Sequence, residues 1–490
     1  MSLPHLNATQ EAQVLEVLFR STAAWDAPLI LLESFMLGVF YACVPLATYM
    51  IWSKSVAVPR VSSTLIFWFA LVVTTVHWVL SWRHLEATMT GRTLGISLSD
   101  PALWDAIDIV DARLNSTSSD YDLIGYSYVN WAEAWQYLLP LIVETALFGF
   151  TSFLFILTAY TSFRRLLSQQ RSGSAMIIPV IASIMYFSSL AHWAISIWSF
   201  TRLAFATVTP ESFSVDINSP NLGLLFLLSL NSVMSDSIVL WRMFVVWDRA
   251  RPALALGVAF LSAILGLNIA NFVGTARGVY GDFGGSGYNY LDLEIVYTFG
   301  TNPVGLAAAF VSLASNFCAT VLVAIKAWSH QRKAAKHLRS DDSRTMVERF
   351  MELLVDSGIV YTAIWLLYCI SFYRPITSQV VLGQDPSATF PLVTAVSYLD
   401  AAMAQLTTIY PLIVFILVAL DRLHHSRGPS MVAPRWNWSD QPAVALSFDI
   451  DVEGHLPMTP TSAHPMIALS DVHRPRSNVS SMKFSSSDSR

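Results

Sequence analysis

The sequence predicts an all-α fold: a polytopic transmembrane helical bundle of about nine spans, built as a seven-helix core plus an N-terminal two-helix hairpin. Three observations lead there. Charged residues make up only 13% of the 490-residue chain, against about 25% in an ordinary globular protein, too few to coat a soluble surface of this size. Apolar residues reach 54%, and mean hydropathy is +0.50. Nine separate segments are long enough to cross a hydrocarbon layer ~30 Å thick, which takes about 20 apolar residues in a helix.

In chain order, residues 1–28 carry Glu11, Glu16 and Arg20 without a basic stretch leading into an apolar run. No signal peptide is expected, and the first span must do its own targeting. Spans at roughly 29–52 and 61–82 form the N-terminal hairpin. The connector 83–134 is long and acidic, with Asp100, Asp105, Asp108, Asp111, Asp120 and Asp122, and is expected to fold as a small cap. Spans at 135–160, 175–200, 221–247, 252–274, 302–328, 351–373 and 391–420 supply the core, which takes in residues 135–420. Loop 275–301 is Gly-rich around 281–287 and reads as irregular, whereas the charged connector 329–350 reads as an extension of its flanking helices. The tail 421–490, rich in Ser, Pro and His from residue 430, shows no periodicity and is expected to be disordered.

Orientation follows from the basic residues of the connections. One set of loops holds Lys54, Arg60, Arg164, Arg165, Arg171, Arg249, Arg251 and seven more between Lys326 and Arg349. The opposite side, N-terminus included, holds only Arg20, Arg83, Arg92, Arg113, Arg202, Arg277 and Arg374. The bias places the first set, and the C-terminal tail, in the cytosol, with the N-terminus outside and the plasma membrane as the default location. The glycosylation candidates Asn7 (Asn7-Ala8-Thr9) and Asn115 (Asn115-Ser116-Thr117) both fall on the outer side. Cys43, Cys318 and Cys369 all lie in apolar segments, so no extracellular disulfide is expected. A net charge of −5 spread over both sides points to no nucleic-acid partner. The lipid bilayer is the first partner.

Glu33-x4-Gly38-x10-Tyr49 is matched by Glu144-x4-Gly149-x10-Tyr160. Each pattern is followed by a basic turn and a span bearing His-Trp, at His77-Trp78 and His192-Trp193. The match implies a duplicated hairpin in front of a seven-span core. That core, over roughly 140–425, resembles a group of uncharacterised fungal, mostly basidiomycete, seven-span integral membrane proteins. The resemblance is carried by Asp236-x4-Trp241-Arg242-x4-Trp247, with weaker marks at Asn316 before Lys326, at Glu352-x3-Asp356-Ser357-Gly358-x2-Tyr361 and at Tyr410-Pro411. It implies an architecture and no activity, and this chain departs from it by two additional N-terminal spans.

Ionisable groups within a membrane cost a few kcal/mol each, so they face protein or water. Asn231 and Asp236 in the fifth span and Asp400 in the ninth are candidates for a polar ligand or ion site. The alternative, helix-to-helix hydrogen bonding, is the favoured reading of these residues. Glu144 and His192 join them, level with one another in their hairpin as Glu33 and His77 are in theirs. Two Glu and two His on four spans do not by spacing demand a metal or haem, so neither metal nor cofactor is expected. Arg242, near the cytosolic end of the third core helix, faces Glu352 and Asp356 across the bundle by depth. The three are candidates for a cytosolic ionic latch, unless Arg242 simply snorkels to the headgroups between Trp241 and Trp247. No His-Glu-x-x-His, Gly-x-Ser-x-Gly or phosphate-binding loop occurs, so an enzyme is not expected. The pattern fits a receptor-like core sensing a small or lipophilic molecule, with a cytosolic transducer at the inner loops. The alternative is a transporter or channel for a small solute or ion.

Overall fold

The computed structural model describes residues 8–53, 60–89, 121–168, 177–206, 218–280, 298–337, 346–373, 378–379 and 393–425. Among them are nine long helices: α1 (Ala8–Ser53), α2 (Arg60–Met89), α3 (Tyr121–Ser168), α4 (Ile177–Ala206), α5 (Asn218–Val246), α6 (Arg251–Tyr280), α7 (Pro303–His337), α8 (Met346–Ser371) and α9 (Ala395–His425). A short 3-10 turn, Phe299–Thr301, leads into α7. A two-residue antiparallel pairing, Ser378 with Thr394 and Gln379 with Val393, precedes α9.

Eight of these helices are apolar over the width of a bilayer. In α8 the apolar run is shorter, Val355–Ser371, because Glu348, Arg349 and Glu352 occupy its first turns. Its 26 residues still measure about 39 Å, enough to cross. The helices also outrun the hydropathy spans. α1 starts at Ala8 and α3 at Tyr121, well ahead of residues 29 and 135 where apolar runs begin. The lead-in of α1, rich in Ala, Gln, Glu and Leu, consists largely of good helix formers. Such backbone needs no water to satisfy its hydrogen bonds, so a helix does not stop where hydrocarbon does.

Helices α3 to α9 close a ring in sequence order, each packing on the next and α9 returning to α3. Besides its ring neighbours α4 and α6, α5 also touches α7 and α9. One apolar cluster joins α5 to α9 around Met243, Ala308, Val323, Trp365 and Met403; two others join α3 and α4 to α9 and, at one end, to α1 and α2. The apolar window of α9 is 72% buried and that of α2 only 6%, so α9 is the bundle's inner post and α2 its lipid-facing edge.

α1 packs more extensively on α3 than on its hairpin partner α2. The reason lies in two glycines. A Cβ on Gly38 would fall 1.7 Å from the Ala146 carbonyl oxygen, and one on Gly149 would fall 2.1 Å from that of Phe35. Residues 35 and 38 occupy the same places in the first repeat as 146 and 149 in the second. The crossing therefore has local two-fold pseudosymmetry, with backbones in contact as small residues allow in membranes.

The turn between α5 and α6 is tight. Asp248 and Arg249 have φ of 52° and 58°. The Asp248 amide donates to Val245 O and the Arg249 amide to Phe244 O, a Schellman cap with aspartate where glycine is usual. The Asp248 carboxylate receives Lys326 Nζ of α7 at 2.6 Å, and Trp247 Nε1 donates to the Leu322 carbonyl.

Candidate functional site

Among the described residues, the buried polar candidates fall into three groups, apart from the Asn271–Asn302–Thr275 and Tyr137–Asn221 contacts that tie α6 to the start of α7 and α3 to α5. The first lies among α3, α4 and α9. Glu144 and His192, which the sequence placed level with one another, meet at 2.6 Å, both buried. Glu144 Oε1 also accepts from Gln405 Nε2 at 3.3 Å, so one carboxylate oxygen of α3 ties α4 to α9. Gln405 in turn accepts from the Ser189 hydroxyl through its Oε1. The neighbouring Trp193 Nε1 donates to Thr145 Oγ1 at 3.0 Å. Second, toward the N-terminal end of α9, Tyr368 donates its hydroxyl to the Asp400 carboxylate.

The third group lies deepest, between α5, α7 and α8. Asp236 is fully buried. Its Oδ1 accepts from Asn316 Nδ2 at 2.8 Å, and the Ser312 hydroxyl is turned toward the same carboxylate. Asn316 Nδ2 gives its other hydrogen to the Ser312 carbonyl, also at 2.8 Å. Next to Asp236, Ser235 shares a 2.9 Å hydrogen bond with the Tyr361 hydroxyl of α8, and Tyr361 stacks on Tyr410 of α9 with centroids 4.2 Å apart. Several buried atoms here have no hydrogen-bond partner: Asp236 Oδ2, Asn316 Oδ1, Ser232 Oγ, and both amide atoms of Asn231.

Arg242 lies one and a half turns from Asp236 on α5, and it does not snorkel. It is buried, with its guanidinium carbon 5.5 Å from the Tyr410 ring centroid and one terminal nitrogen against Gly358 of α8. The structure does not join it to Asp356 in an ion pair. Asp356 is exposed, and among the described residues the guanidinium makes no ion pair, its polar neighbour being the Tyr410 hydroxyl. The two residues share a depth, but the azimuth of Asp356 on α8 turns it away from α5. Glu352 lies near the start of α8. Asn7 and Asn115 fall outside the described residues.

Gln405, Ser189, Tyr368 and Ser235 were missed as site residues by sequence reasoning. Gln405 was within reach, being a lone amide in an apolar span and five residues after Asp400. The serines carry no such mark, since hydroxyls are common in spans. Among the described residues no group of three or more His, Cys, Asp or Glu is placed to hold a metal ion.

The fold and its buried polar groups define a multi-pass helical membrane protein. No protein-family model matches the chain, and no curated protein or solved structure is significantly similar to it.

Proposed function

We propose that the chain is a receptor-like sensor of a small or lipophilic molecule, belonging to the fungal seven-span group it resembles, with its C-terminal tail in the cytosol at the plasma membrane. One observation favours this above others. α5 packs on α4, α6, α7 and α9 of the seven-helix ring and carries near its end a buried Arg242 held by an aromatic ring of α9 and the backbone of α8. A guanidinium that no carboxylate fixes among the described residues can be repositioned by a small shift of α8 or α9, which links helix packing at mid-membrane to the surface that Arg249 and residues 329–350 offer a transducer. Such a link is a two-state element of the kind that signalling needs.

The transporter alternative draws on the buried Glu144–His192–Gln405 group and on the repeated hairpins. That repeat is parallel, whereas inverted repeats often build transport sites at mid-bilayer.

The test pairs spin labels at Arg249→Cys and Asp356→Cys, with the native cysteines replaced, in lipid nanodiscs exposed to a library of lipophilic compounds. Compounds that raise the thermal midpoint are expected to lengthen the distance between the labels by several ångströms. Saturable solute or ion flux in proteoliposomes, abolished in Asp236→Asn and unaccompanied by any distance change, would replace the receptor with a transporter.

A further inference from the structure

We infer that Asp236, Ser232 and Asn316 form a binding site for a monovalent alkali cation between α5 and α7. The inference does not rest on the receptor reading and holds for either function.

What the protein supplies at this point is lopsided. Asp236 and Ser232 are four residues apart on α5 and so lie on one face, one turn above the other. Asn316 reaches that face from α7 through its 2.8 Å hydrogen bond to Asp236 Oδ1. Both Nδ2 hydrogens of Asn316 are used, one on Asp236 and one on the Ser312 carbonyl. Its Oδ1 is left over, together with Asp236 Oδ2 and Ser232 Oγ, and all three are buried without a partner. A serine inside a helix ordinarily disposes of its hydroxyl on the carbonyl four residues back. Ser237 does so on this same helix, to Val233 O, and Ser34, Thr145 and Thr158 do so on others. Ser232, like Ser229 on the same helix, does not, and its oxygen is left without a partner one turn from Asp236.

Three unpartnered oxygens thus gather here, Asp236 Oδ2 and Ser232 Oγ one turn apart on α5 and Asn316 Oδ1 on the residue bonded to Asp236, all on residues at 0–1% exposure, with the unpartnered amide of Asn231 adjoining them. They carry one formal negative charge, and no Lys, Arg or His makes an ion pair with Asp236 among the described residues. Arg242 is the nearest basic group on α5, about 9 Å further along the axis, and its guanidinium is placed over Tyr410. A carboxylate so far from water demands compensation. Oxygen-only donors select a hard cation over zinc or copper. A single carboxylate balances one positive charge, whereas a divalent ion would leave a net charge buried in the membrane.

The experiment titrates NaCl against choline chloride at constant ionic strength and follows thermal unfolding of the full chain in nanodiscs by tryptophan fluorescence. Sodium is expected to raise the midpoint by several degrees where choline does not, as for any ligand selective for the folded state. Asp236→Asn should lose the sodium-specific rise. Ser232→Ala keeps the charge and removes one ligand, so it should move the half-maximal sodium concentration upward severalfold. It also reads the site if the Asp236 variant does not fold. Equal effects of sodium and choline on the wild type would overturn the inference, as would a sodium response unchanged in Ser232→Ala. So would an Asp236→Asn protein that is more stable than a sodium-insensitive wild type, since the carboxyl would then hold a proton instead.

Discussion

The α1–α2 and α3–α4 hairpins carry four corresponding polar residues in the same pairings, yet the Glu–His pair is buried in one hairpin and open in the other. Trp78 Nε1 donates to Ser34 Oγ at 2.7 Å, as Trp193 Nε1 donates to Thr145 Oγ1 at 3.0 Å. Glu33 faces His77 at 3.6 Å, as Glu144 faces His192 at 2.6 Å. The His77 side chain is 68% exposed and the His192 side chain 8%. The difference comes from neighbours. α4 is covered by α5 and α9, and Gln405 of α9 bonds the glutamate directly. α2 packs chiefly on α1 and turns Leu65, Ile66, Phe69 and Leu80 outward. One local chemistry thus becomes an interior clamp or a surface pair according to what surrounds it.

The comparison is most directly broken by removing one member of each pair. Glu144→Ala or His192→Ala leaves its partner buried and uncompensated, and is expected to lower unfolding stability in mixed micelles by about 3–5 kcal/mol. The same changes at Glu33 and His77 should cost far less; equal losses in the two hairpins would mean that burial is not what separates them.

Next comes the crossing between the repeats. Gly38→Ala and Gly149→Ala each drive a methyl into backbone, and overpacking of this kind costs about 1–3 kcal/mol. Because the contact is pseudosymmetric, the two losses should be similar, and a neutral Gly38→Ala would show that α1 and α3 do not touch there. Smaller again, Trp78→Phe and Trp193→Phe each delete one hydrogen bond, worth about 0.5–1.5 kcal/mol in the same assay. The least effect is expected of His77→Leu, which replaces an exposed polar ring on an apolar helix and should be neutral or stabilising. His192→Leu is the contrasting control, and a destabilised His77→Leu would assign the front hairpin a polar partner of its own.

Much of this was legible from residues alone, and the rest failed for identifiable reasons. Nine helices follow from hydropathy because bilayer thickness sets a length that composition reports directly. Glu33, Gly38 and His77 with their counterparts announced the duplication, but depth along an axis says nothing about azimuth. For that reason Glu144 and His192 could be placed level with one another, while shared depth made Asp356 only a candidate partner of Arg242, and its azimuth turns it outward. The glycines were visible as matched letters, though their task, letting α1 and α3 touch, needs the third dimension. Ser34 and Thr145 escaped notice because they differ in identity while doing the same thing. Helix beyond the membrane, as in residues 8–28 of α1, leaves no trace in hydropathy.

The α1–α3 crossing also orders events during synthesis. Chains fold from the N-terminus as they emerge, and spans in lipid first insert and then associate. α1 and α2 can insert as a hairpin at once, but the main partner of α1 is encoded only after the long acidic connector. Until α3 arrives, Gly38 presents bare backbone to lipid and Glu33 has only the hairpin's own residues beside it. The front hairpin is thus a waiting intermediate, and the interval before α3 emerges is when a membrane chaperone would find it.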